Sequence, residues 1–191
     1  MTNIIKAIKE IYPDIQGGFV YWETKQDGSP LNNPIDGLKW ENAEYDKPSW
    51  LDIKCKLTEI DLEEAKDSKI AEIKALRDTN LIKSTPQTIT YSGNLENKIF
   101  NINDGDTNTF TTIIGDLQDD IDNGAINPTR TWGDSTGERL ILEISDFKSL
   151  RKHLIHRDAQ EYDQARLKVD LINDLTTVKK VNAFDVTQVI V

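Results

Sequence analysis

TITYSGNLENKIFNINDGDTNTFTTIIGDLQDDIDNGAINPTRTWGDSTGERLILEI, residues 88–144, changes its apolar period twice, and that change decides the fold class. At its start Ile89 and Tyr91 point to one side of an extended segment, Thr88 and Thr90 to the other. Phe100 and Ile102 supply the facing side, with SGNLEN (92–97) as hairpin loop and Gly93 and Asn94 as its turn candidates. The middle then repeats every three to four residues. Phe110, Ile113, Ile114, Leu117 and Ile121 form a helical stripe that Asp106 or Thr107 would cap and Gly124 would close. Alternation returns at the end, where Leu140, Leu142 and Ile144 share a face, and Gly133 and Gly137 frame a turn around Asp134, Ser135 and Thr136.

Working outward, the helix end KIAEIKALRD (69–78) precedes this stretch. A long helix, SDFKSLRKHLIHRDAQEYDQARLKVDLINDL (145–175), follows it, with Ser145 or Asp146 as cap. The order α-β-β-α-β-β-α predicts an α+β fold in which an antiparallel sheet packs with helices. Upstream, Ile4, Ile5, Ile8 and Ile11 recur at helical spacing until Pro13. GGFVYWE (17–23) and LKWE (38–41) read as strands on either side of a turn-rich loop. Pro48 suits a first helical turn, and a second helix start is expected at Thr58 or Asp61. The expected organisation is therefore a small helix-plus-strand module (1–56), a connecting helix (57–83), the α+β domain (84–178) and a β-prone tail (179–191). The tail, VNAFDVTQVIV, reads either as a last strand on its own sheet or as a strand docked on another subunit.

Charge narrows the function classes. Twenty-three basic and 33 acidic side chains leave a formal charge of −10. Such a surface disfavours nucleic acid and anionic membranes, whose affinity comes largely from Lys and Arg. The densest basic cluster, RKHLIHR (151–157), is followed at once by Asp158, Glu161 and Asp163. A single cysteine, Cys55 between Lys54 and Lys56, excludes an internal disulfide and a multi-cysteine metal site. No run approaches the ~20 apolar residues of a membrane span. Lys6, Lys9 and Glu10 interrupt the first apolar stretch, so it does not read as a signal peptide, and synthesis and folding in a cytoplasm are expected.

Residue chemistry points away from catalysis. Residues 103–108, NDGDTN, suggest a calcium loop, but counting from Asp104 the sixth position is Thr109 and the twelfth is Gly115, where glycine and a bidentate Glu are needed. His153 and His156 lack a Cys or third His to complete a zinc site. Asp116, Asp119, Asp120 and Asp122 read as a solvated helix face. With no nucleophile elbow and no phosphate loop, the expectation is no enzyme, no cofactor and no metal. What remains is aromatic. Trp22, Trp40 and Trp50 crowd the first 50 residues and, with Phe184, Val189 and Ile190 of the tail, are the candidate partner-binding residues.

The segments KIAEIKALRD, TITYSG, KIFNIN, the helix after DGDTNTF, TWGDSTGERLILEISDFKSL and HLIHRDAQEYDQARLKVDLI, within residues 69–175, together resemble an uncharacterised domain of bacteriophage and prophage tail proteins, found in the tail-fibre region. The N-terminal order helix–YP–strand–loop–LKWE–Pro–helix is similar to small proteins encoded in phage tail operons. The resemblance implies a virion tail component, a baseplate, tail-tip or fibre-adaptor protein, assembled with other tail, baseplate or fibre proteins in a homo- or hetero-oligomer. A fibre-assembly chaperone absent from the mature particle, and a receptor- or glycan-binding tip protein, are the alternatives. The resemblance carries no catalytic residues.

Overall fold

The computed structural model describes residues 3–31 and 34–190. The fold is α+β, and the order expected around residues 88–144 is the order observed. α1 (Asn3–Ile11), β1 (Phe19–Tyr21), a 3-10 turn (Pro34–Gly37) and β2 (Leu38–Trp40) come first. They are followed by α2 (Trp50–Ile82), β3 (Thr85–Thr90), β4 (Asn97–Ile102) and α3 (Asp104–Asp122). β5 (Thr129–Gly133), β6 (Arg139–Glu143), α4 (Ile144–Asn173) and α5 (Val178–Asn182) complete the chain.

Two compact units divide it, one of residues 1–69 with 175–184, the other of 70–174 with 185–191. In the first, β1 and β2 pair antiparallel from Phe19↔Trp40 to Tyr21↔Leu38. Its core gathers Ile4, Ala7 and Ile8 of α1, Leu38, and Ile53 and Ile60 of α2. In the second unit, β3 pairs with β4 from Thr85↔Ile102 to Thr90↔Asn97, and β5 with β6 from Thr129↔Glu143 to Gly133↔Arg139. Ile89, Phe100 and Ile102 from the first of these hairpins meet Phe110, Ile114 and Leu117 of α3. Leu140 and Leu142 of β6 and Phe147, Leu150 and Leu154 of α4 close this core. Phe110, Trp132 and Phe147 meet edge-on or tilted at centroid separations of 4.9–6.2 Å, the geometry that aromatic quadrupoles favour.

Several boundaries differ from the sequence expectation. The antiparallel strands form three separate two-stranded ladders. The backbone link between the β5–β6 hairpin and β4 runs through the turn, with Ser135 N donating to Ile99 O at 2.7 Å beside the Lys98–Glu138 ion pair at 2.9 Å. Expected helix starts at Thr58 and Asp61 vanish into one 33-residue helix, because no Gly or Pro interrupts residues 50–82. Thr58 Oγ1 bonds back to Lys54 O within that helix and caps nothing. The connecting helix 57–83 is thus no separate element, and the division between units falls inside α2.

The caps move by one turn. α3 starts from Asn103, whose Oδ1 accepts from Gly105 N while Asp106 Oδ2 accepts from Asn103 N, a reciprocal box that makes Asp106 its third residue. α4 starts from Glu143, and Asp146 reaches back to Glu143 N at 2.7 Å. Gly124 ends α3 as expected, at φ +92°. The β-prone tail contains a short helix, α5, started by Thr177, and no strand among its described residues; Val191 lies outside them. Polar Lys179 and Lys180 extend a helical turn there more readily than an unpaired β-branched run could hold an open edge. No helix among the described residues is long and apolar enough to cross a membrane.

Candidate functional site

The candidate partner-binding residues separate into those the fold consumes and those it leaves open. Trp40 faces its neighbour across the first ladder, stacked on Phe19 at 5.6 Å and tilted against Tyr12 at 6.0 Å. Its indole Nε1 donates to Tyr45 O at 2.9 Å, and Tyr12 and Tyr45 meet at 4.9 Å. Trp50 begins α2 and packs, half-buried, against the same core. Both rings serve the module's interior. Trp22 is different: half of its surface is exposed, and it belongs to neither core. It forms a wall of an open cavity of about 410 Å³, with Thr24, Lys25, Gln26, Leu31 and Asp36.

The loop that builds this wall is tied to itself. Trp22 N donates to Gly37 O at 3.0 Å, and Thr24 and Pro30 form an isolated bridge. Lys25 N donates to Ser29 O and Gly28 N to Lys25 O. Asp27 Oδ1 accepts from both Ser29 Oγ (2.6 Å) and Ser29 N (2.9 Å), and those two bonds hold its carboxyl below the ordinary aspartate range. A Cβ at Gly37 would lie 2.1 Å from Trp22 O, so only glycine permits this approach. Burial beside the loop, and then the charge of Glu23, push the Tyr21 phenol up.

In the tail, Phe184 and Ile190 are half-buried while Val189 keeps three-quarters of its surface exposed. Residues 186–190 are held on α4 through their main chain. Gln164 Nε2 donates to Ile190 O at 2.9 Å, and Gln164 Oε1 accepts from Ile190 N at 2.8 Å. Lys168, itself buried, donates from Nζ to Val186 O at 2.8 Å. A side-chain amide that pairs with both main-chain groups of one residue imitates a strand, so the tail finds its hydrogen bonds without joining a sheet.

Two polar hubs escaped the sequence reading. Asp146 is buried and accepts three hydrogen bonds: Ser92 N to Oδ1 at 2.8 Å, Ser92 Oγ to Oδ2 at 2.6 Å, and Glu143 N to Oδ2. It thereby fixes the β3–β4 loop, where Ser92 takes a left-handed φ of +41°. Arg157 spreads its guanidinium over the end of α2, donating to Leu81 O (3.1 Å), Lys83 O (3.5 Å), Thr85 Oγ1 (3.1 Å) and Ile102 O (3.4 Å). Asp158 Oδ1 accepts from its Nε and Nη2. The sequence marks Asp146 only as a cap; its bonds to Ser92, and those of Arg157 to Leu81, Thr85 and Ile102, cannot be read there because these partners lie far away in the chain.

The candidate ligands of the sequence take ordinary places. Asn103 and Asp106 are caps, and His153 and His156 lie exposed one turn apart on α4. Asp120 pairs with Arg130 at 2.9 Å, and Asp122 accepts from Gln118. Cys55 is exposed. No group of three or more His, Cys, Asp or Glu side chains among the described residues is placed to hold a metal ion. Compared with protein-family models, curated proteins and solved structures, the chain finds no match.

Proposed function

We propose that this chain is a structural component of the tail of a bacteriophage or phage-like particle, a baseplate, tail-tip or fibre-adaptor subunit that works by protein–protein assembly. The reading rests on the resemblance of residues 69–175 to a tail-protein domain, whose quoted segments fall on the strands, hairpins and helices of the second unit. TITYSG and KIFNIN lie on β3, β4 and their loop; TWGDSTGERLILEISDFKSL covers the β5–β6 hairpin and the start of α4. Neighbouring subunits would cover apolar side chains that the fold leaves open, Val189 among them. Buried aromatic and aliphatic anchors of this kind dominate the energy of protein interfaces.

The competing assignment is a fibre-assembly chaperone, acting in the host cytoplasm and leaving before the particle is complete. Mass spectrometry of purified particles separates the two. A tail component is recovered with the particles at fixed copy number; a chaperone is recovered from the lysate and not from the particles.

A further inference from the structure

We infer that the cavity beside Trp22 is a binding site for a neutral sugar ring. This goes beyond the assembly reading and does not depend on it. Of the four tryptophans, Trp40, Trp50 and Trp132 pack against a core, and Trp22 alone stands outside both. Removing a half-exposed indole from water is worth about 25 cal/mol for each Å² covered, so a ligand laid on it gains affinity that the fold itself has not used.

Contacts within the chain hold much of the cavity wall in place. The cavity's volume of about 410 Å³ lies within the ~300–1,000 Å³ of small-molecule sites. The close contact of Gly37 with Trp22 O, the Thr24–Pro30 bridge and the Asp27–Ser29 turn tie the described residues of its wall to one another. A preformed wall reduces the ordering cost that weakens small ligands.

The chemistry of the lining selects the ligand class. Among the described residues, the lining carries a hydroxyl (Thr24), an amide (Gln26), a carboxylate (Asp36) and an ammonium (Lys25). Donors and acceptors are mixed, and the two charges cancel, so neither an anion nor a cation is favoured by the site. A polyanion is further repelled by the chain's charge of −10. A pyranose ring matches these groups: its polarised C–H face lies on the electron-rich indole, and its hydroxyls both donate and accept along the rim. A proline ring offers a similar C–H face but no hydroxyls, so Thr24, Gln26 and Asp36 would lose water without replacement.

Nitrogen-15 NMR of the full chain reads this site directly, because each indole N–H gives its own signal and Trp22→Phe identifies that of Trp22. The probes are methyl α-glucopyranoside, methyl β-galactopyranoside and methyl N-acetyl-β-glucosaminide, each titrated to ~50 mM to reach the millimolar affinity of a single ring. The expected result is a saturable shift of the Trp22 signal with at least one sugar while the other three indoles stay still. Asp36→Asn and Gln26→Ala should each weaken that binding roughly tenfold with the other indole signals unchanged. The inference is overturned if no probe shifts Trp22, if all four indoles shift together, or if a proline-rich peptide shifts Trp22 and the sugars do not.

Discussion

Asp146→Ala should be among the most damaging single changes in the second unit. The carboxylate is only 4% exposed and accepts from Ser92 N, Ser92 Oγ and Glu143 N at 2.6–2.8 Å. Its removal deletes three charge-assisted bonds and leaves two main-chain N–H groups without their acceptor. Each buried donor left unsatisfied costs about 1–3 kcal/mol, and neighbouring losses do not add fully, so the total should be about 3–5 kcal/mol. With an m-value of about 2 kcal/mol/M, the urea midpoint should fall by roughly 1.5–2.5 M. Ser92→Ala alone loses only the hydroxyl's contacts with Asp146 Oδ2 and Ile141 O and should cost about 1–2 kcal/mol. Because the two residues touch, the double variant should be less damaged than the two singles combined, with a coupling of about 1–2 kcal/mol. A midpoint for Asp146→Ala within ~0.3 M of the parent, or a coupling near zero, would refute this account of the loop.

Three other outcomes are expected. Arg157→Met should cost about 2–4 kcal/mol in a urea titration, since the carbonyls of Leu81, Lys83 and Ile102 lose one shared donor and Asp158 its cation; a loss below ~0.5 kcal/mol would contradict that role. Gln164→Ala should free the tail and speed amide exchange at Ile190 without lowering global stability by more than about 1 kcal/mol; unchanged exchange at Ile190 would mean that another contact holds the segment. In the β5–β6 turn, the Thr136 hydroxyl bond and then main-chain bonds from Thr136 and Glu138 hold Asp134 below its ordinary value of 3.8. A depressed carboxylate stabilises the fold above 3.8, and that contribution disappears as pH falls through the lower folded value. The Thr136 amide signal should therefore move below pH 3.8 in the parent and stay flat in Asp134→Asn.

Periodicity made the second unit legible and left its fastenings invisible. Ile89, Phe100, Phe110, Leu117, Leu140 and Leu142 announce their faces through spacing alone, and each is buried where that spacing places it. Spacing does not say whether two hairpins share a ladder, since that depends on whether a turn or a strand edge meets β4. The capping boxes at Asn103 and Glu143 shifted the expected helix starts because a carboxylate three residues in can serve the cap from inside. Asp146 reads as a cap in sequence, yet its partner Ser92 lies 54 positions away. The tail misled for a related reason. VTQVIV has strand composition, but Gln164 and Lys168, which look like solvent-facing helix residues, supply the main-chain partners that a sheet would have given. Among the tryptophans, composition could not tell that Trp40 and Trp50 would enter the core and that Trp22 would remain on a cavity wall.

Quantitative mass spectrometry of gradient-purified particles tests the central claim most directly. An assembly subunit of the tail is predicted to appear in the particles at a constant ratio to known tail proteins through successive purification steps. Loss of the chain during those steps, with full recovery in the soluble lysate, would contradict the claim.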